Sequence, residues 1–164
     1  MTGAVTTVLG LGRLPGAPGT WGSAAAVPAA WVIHGLLGFP GLFAVTLLVF
    51  ALGWWATAEA LRHTDDEDPS EIVIDEVAGQ WIALWPLSGG LWHAGVDPWI
   101  FPWPGWVGAF VMFRLFDIWK PGPVGWADRR GGAAGVMLDD AIAGLFAAVV
   151  VAAAAAVSHG GLGL

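Results

Sequence analysis

Cysteine is absent from this 164-residue chain, and so is tyrosine. Without thiols there is no disulfide, no cysteine nucleophile and no thiolate-bound zinc. Charge is nearly as scarce: acidic and basic residues together make up 12% of the chain, against roughly a quarter in soluble domains. A soluble monomer so composed has too little polar surface to cover itself. Several phosphate-handling signatures are missing too. No GK[ST] follows the glycine-rich stretches, which excludes a nucleotide P-loop. No DxDx[TV] segment and no PSGH-like histidine motif occurs, and no repeat of 20–50 residues is evident. The first residues do not read as a basic-then-apolar leader.

What is present is apolar. Hydrophobic residues make up 57% of the chain, the mean hydropathy is +0.70, and there are twelve tryptophans. Tryptophan is favoured where a membrane meets water, so the composition points to a membrane protein. The length suits a single domain, residues 1–164. Residues 1–22 are rich in Gly and Pro and read as a loop or broken helix. Apolar segments follow at about 23–37, 42–61, 77–92, 99–113 and 141–157, and a membrane-crossing helix needs roughly 17–25 apolar residues. The expected fold is therefore all-α, a multi-pass membrane bundle of four to five apolar helices. If five segments alternate in direction, the turns near 34–40 and 87–98 fall on one side. All six Lys and Arg, and twelve of the thirteen acids, then fall on the other, which the positive-inside rule makes cytoplasmic.

The charges are concentrated. Seventeen of the nineteen lie between Glu59 and Glu76 or between Arg114 and Asp140, leaving Arg13 and Asp97 outside. Residues 65–68, "DDED", read as a solvated acidic loop, with His63 solvated beside it. Asp75 and Glu76 stand instead at the mouth of an apolar helix. They serve there either as acids complementing the helix dipole or as ligands of a hard cation such as Mg²⁺. Arg114, Asp117 and Lys120 recur every three residues and share a helix face, which Pro121 and Pro123 then end. The loop "GPVGWADRRGGAAG" carries Asp128, Arg129 and Arg130. Asp139 and Asp140 open the last apolar helix, repeating the arrangement of Asp75 and Glu76.

Intramolecular ion pairs and cationic anchors for anionic lipid account for Arg129 and Arg130. They account poorly for six carboxylates at an anionic surface, where a divalent metal is the economical neutraliser. Metal with Arg and Lys is also how phosphoryl groups are held and activated. The segment "GLGRLPGAPGTWGS" is either a turn with Thr20 or Ser23 as N-cap or a cradle of backbone N–H groups for phosphate. His34 and His93 fall on the far side. What remains is metal-assisted attack by water, with phosphate held at the membrane surface. A small channel or transporter with acidic sites is the alternative of another class, but it calls for charges in mid-helix facing a pore.

"PGAPGTWGS", "IVIDEVAGQW", "FRLFDIWKPGPVGWADR" and "GGAAGVMLDDAIAG" resemble, in this order, the motifs of the phosphatidylglycerophosphatase A family, across about residues 10–144. The resemblance implies a small, helical, Mg²⁺-dependent enzyme of the bacterial inner membrane. Such an enzyme removes the terminal phosphate of phosphatidylglycerophosphate to give phosphatidylglycerol; some members also act on phosphatidic or lysophosphatidic acid. The motif positions fall on Asp75, Glu76, Arg114, Asp117, Lys120, Pro121, Asp128, Arg129, Asp139 and Asp140.

The expected roles follow from charge and placement. Asp75, Glu76, Asp139 and Asp140 hold Mg²⁺. Asp117 or Asp128 orients the attacking water, and Lys120 acts beside them. Arg114 and Arg129 bind the substrate phosphate, with Thr20 and Ser23 in a turn that adds backbone donors. The phospholipid substrate keeps its acyl chains in the bilayer and places only its head group in the polar pocket.

Overall fold

Proline decides where the longest helix begins. Pro18 occupies the first helical position, where its fixed φ is already helical and its missing N–H costs nothing, and Ala17 before it is extended (φ −132°). In the computed structural model, which describes residues 2–64, 66 and 69–161, six helices follow in order. They are α1 (Thr2–Thr6), α2 (Pro18–Leu61), α3 (Ile74–His93), α4 (Trp103–Trp119), α5 (Pro123–Asp128) and α6 (Gly132–Gly161), with one 3₁₀ turn at Leu11–Arg13. No strand occurs among the described residues. Of the expected loop at 65–68, Asp65, Glu67 and Asp68 lie outside the described residues; Asp66 is exposed.

The first two apolar segments are joined in α2, but not as a straight rod. Gly38 has φ 65° and ψ −168°, a conformation that glycine alone enters without strain. Pro40, two residues on, cannot donate into a continuing helix. Side-chain contacts with α3 reveal what the break does. Along the first arm, Trp81 Nε1 donates to Ala26 O at 2.8 Å and His34 Nδ1 lies 2.7 Å from Ser88 Oγ, so this arm runs parallel to α3. Along the second, Trp85 Nε1 donates to Thr46 Oγ1 at 3.3 Å, while Gly53 faces Ile74, so this arm runs antiparallel. The chain reverses at Gly38, as the turn expected at 34–40 requires.

Two helices are long and apolar enough to cross a membrane: Pro18–Leu61 and, within α6, Gly132–Ser158. Only 11% and 22% of their most apolar stretches are buried. Both therefore turn apolar side chains outward, unlike core helices of a soluble domain. Leu36, Leu48 and Val149 are among the exposed ones. α3 is the bundle's centre, buried from Ile74 to Leu84. It packs closely on α6, where Gly144 lies directly against the Gly79 backbone and a Cβ on Gly79 would come within 2.6 Å of Asp140 O. Small residues at such a crossing let backbones approach in an apolar medium.

Three boundaries differ from expectation, each for a local reason. Residues 18–22 are helical, since Pro18 and not Thr20 or Ser23 starts α2. The segment after Pro121 forms the short helix α5, with Pro123 at its first turn. And α6 begins at Gly132, so Asp139 and Asp140 lie two turns inside the helix instead of opening it.

Candidate active site

Four helices deliver polar groups to one end of the bundle. The start of α2 brings Gly19, Thr20 and Ser23; the first turn of α3 brings Asp75 and Glu76. The end of α4 brings Arg114, Asp117 and Lys120, and α6 brings Asp139 and Asp140. They surround a cleft of about 290 Å³, lined by Gly19, Thr20, Ser70, Asp75, Glu76, Arg114, Asp117, Lys120, Asp139 and Asp140 among others. α2 and α3 place their N-terminal turns here, with the positive dipole ends facing the acids.

Charge falls into two groups. In the first, Glu76, Asp117 and Asp140 offer carboxylate oxygens all within 4.8 Å of one another. Arg114 Nη1 reaches both oxygens of Glu76 at 2.6 Å and Asp117 Oδ2 at 2.9 Å. Ser23 Oγ stands 2.7 Å from Glu76 Oε2, 2.8 Å from Gly19 O and 3.4 Å from Arg114 Nη1, so it steadies the same carboxylate beside the guanidinium. A Cβ on Gly19 would collide with Glu76 Oε1, so the bare glycine lets this carboxylate sit where it does. In the second group, Lys120 binds both Asp128 and Asp139, the latter at 2.9 Å. Lys120 ends α4 in the left-handed conformation (φ 49°, ψ 52°), which turns its side chain toward α6. Asp139 Oδ1 also accepts the Asp140 N–H at 2.9 Å.

Burial sets the electrostatics. Glu76 is buried beside the charge of Asp117, and the groups that offset its own charge are Arg114 and Ser23. Burial works against the Lys120 charge, but the hydrogen bonds and charges of Asp128 and Asp139 outweigh it and hold the ammonium well above the usual lysine value. Asp140 is 3% exposed, and its Oδ2 has no hydrogen-bond partner among the described residues. A buried carboxylate with an unbonded oxygen, clustered with two further carboxylates, is costly unless a cation joins them. The donors are all hard oxygens, which is what Mg²⁺ takes. The residues therefore fit such an ion.

Of the four expected metal ligands, Glu76 and Asp140 stand in the three-acid cluster, while Asp139 is turned to Lys120 and Asp75 is buried in the cleft wall. Asp117, expected to handle water, completes the cluster. Thr20 lines the cleft, whereas Ser23 lies behind Glu76. Asp128 is bound to Lys120 at the edge, and Arg129 is exposed outside the cleft. Ser70 in the cleft and Gln80 near it went unread. Ser70 reaches the cleft from the loop before α3. Gln80, one turn beyond Glu76, does not line the cleft but stands behind it, fully buried with neither amide atom hydrogen-bonded among the described residues. The spacing of four from Glu76 was the signal for Gln80; Ser70 had none.

A helical bundle with an acid-rich, cation-flanked cleft at one end has the donor set of a phosphate-handling protein. The family model for phosphatidylglycerophosphatase A matches residues 4–155. The chain is 35% identical to phosphatidylglycerophosphatase A of Escherichia coli over 144 residues, 87% of this chain and 76% of that protein. It is 34% identical to the Haemophilus influenzae protein of the same name, over 87% of this chain and 81% of that one. It is also 36% identical to a putative phosphatidylinositol-3-phosphatase of Bacteroides thetaiotaomicron, over 92% and 91%. No solved structure matches. The chain belongs to the phosphatidylglycerophosphatase A family, and is thereby a phosphatase.

Proposed function

We propose that the cleft hydrolyses the terminal phosphomonoester of phosphatidylglycerophosphate, releasing phosphate and phosphatidylglycerol, with Mg²⁺ as cofactor. The observation that carries this reading is the Glu76–Asp117–Asp140 cluster gripped by Arg114 in a family of phosphatases. Glu76, Asp117 and Asp140, with Asp75 alongside, would hold the ion. When bound it draws negative charge off the phosphate oxygens.

The chain's own groups do the rest. Arg114 and Lys120 supply fixed positive charge toward phosphoryl oxygens. Thr20 and the first backbone N–H groups of α2, unpaired within any helix at that position, supply neutral donors. Asp117 lines the cleft and is better placed than Asp128 to orient the attacking water. Ser23 acts through Glu76, and Arg129, outside the cleft, meets anionic lipid at the rim.

The same reading places the protein in the bacterial inner membrane, its cleft facing the cytoplasm and α3 and α4 crossing together with the two arms of α2 and with α6. Exposed tryptophans support it, because they gather at both ends of the bundle: Trp21, Trp119 and Trp126 near the cleft, Trp92, Trp99 and Trp103 at the other. Such aromatic belts mark the two membrane–water interfaces.

The test is phosphate release by purified protein from phosphatidylglycerophosphate, with EDTA and with Mg²⁺. Activity is expected only with the metal, and unaltered turnover in EDTA would end the cofactor assignment. The name of the Bacteroides relative favours a second substrate arm, phosphatidylinositol 3-phosphate, and phosphatidic acid makes a third. Faster turnover of either would reassign the substrate.

A further inference from the structure

Ala24 sits one helical turn beyond Thr20 on α2, and Phe110 one turn before Arg114 on α4. From these two residues an apolar groove of about 520 Å³ runs away from the cleft between the first arm of α2 and α4. Its walls include Ala24, Val27, Trp31, Trp99, Trp106 and Phe110, and no charged residue lines it. At the far end Trp31 Nε1 donates to Trp99 O at 3.0 Å and the two rings meet edge to face at 5.6 Å. Trp31 and Trp99 thereby close the groove with their N–H and carbonyl already paired to each other.

We infer that this groove receives one acyl chain of the lipid whose head group occupies the acidic cleft, an inference that rests on the lipid-phosphatase reading above. Cleft and groove share both walls, α2 and α4, and lie one turn apart on each. A ligand filling both must therefore be polar at one end and hydrocarbon at the other. The groove offers its occupant no ionic partner, which suits hydrocarbon along its length. From Thr20 to Trp31 the α2 arm advances about 16 Å at the helical rise per residue, so the Trp31–Trp99 contact sets how deep the chain reaches. The groove is open along its side: Trp31 is 39% and Trp99 47% exposed. A lipid can enter laterally with its head group drawn into the cleft. Ala24, exposed at the junction, is the point at which head group and chain part.

Phosphatidylglycerophosphate and phosphatidylcholine, each carrying the same photoreactive diazirine in one acyl chain, are reconstituted with the full-length protein and irradiated, and phosphate release is measured in parallel. Labelling by the first lipid is expected to concentrate on residues 24–31 and 99–110, and labelling by phosphatidylcholine to spread over all outward apolar faces. Ala24→Phe, which fills the junction, should cut the groove labelling on the order of tenfold, since several methylene contacts are lost. It should leave hydrolysis of the deacylated, water-soluble head group unchanged. Equal labelling patterns from the two lipids, or undiminished groove labelling in Ala24→Phe, would overturn the groove assignment even where phosphate is released. Groove-selective labelling without phosphate release from any lipid would uphold the groove and remove the enzymatic reading instead.

Discussion

The two charge groups at the cleft differ in their ratio of acids to cations. Around Arg114, one guanidinium meets Glu76 and Asp117, and Asp140 adds a third acid whose Oδ2 has no hydrogen-bond partner among the described residues. Around Lys120, one ammonium meets two acids, Asp128 and Asp139. The Lys120 group also sits closer to solvent, Lys120 at 31% and Asp128 at 39% side-chain exposure, whereas Arg114 and Glu76 are at 16% and 11%. Buried charge is tolerated only when paired. The Arg114 group therefore has an unmet demand for positive charge and the Lys120 group much less of one. Under the proposed function the two would do different work: the first would hold the divalent ion, and the second would keep its own shape and offer one cation to substrate.

That contrast can be broken by substitution. Asp140→Asn should have the largest effect, a loss of phosphate release of about a thousandfold, with Mg²⁺ binding by calorimetry lost alongside. If Mg²⁺ binding survives in Asp140→Asn, the first group is not the ion site. Lys120→Met should lower kcat about a hundredfold while leaving Mg²⁺ affinity within a few fold; a matching loss of affinity would erase the distinction between the groups. Ser23→Ala removes only the hydroxyl that steadies Glu76, and partners of this kind typically contribute 10–100-fold to metal affinity. A loss of about tenfold in affinity, overcome by excess Mg²⁺, is expected. Arg129→Ala, outside the cleft, should change kcat by about twofold or less and weaken only the binding of anionic vesicles. A kcat drop as large as that of Lys120→Met would bring Arg129 into the site.

Much of this was legible in the residues. The spacing of three through Arg114, Asp117 and Lys120 placed them on one face, and the structure has all three at the cleft. The turn near 34–40 was legible because Gly38 and Pro40 each disfavour a continuing helix. The division of labour within the acidic pairs was not. Successive residues on a helix point about 100° apart, so the two members of each pair, Asp75–Glu76 and Asp139–Asp140, leave their helix in different directions. Each pair sends one member, Glu76 or Asp140, to the cluster, and which one depends on the rotation of α3 and α6 about their axes. That rotation is set by packing such as Gly79 against Gly144, between residues distant in sequence. The extent of α6 was obscured for a related reason: "GGAAGV" reads as loop, yet residues 132–136 are helical under α5.

The reversal at Gly38 has a bearing on how the molecule is assembled. Because the chain doubles back there, the segment before Pro18 and the segment after Leu61 must emerge on the same side of anything the two arms traverse. Were both arms to cross a bilayer, as the proposed function has it, the loop at 34–40 between them would take no Asp, Glu, Lys or Arg to the far side.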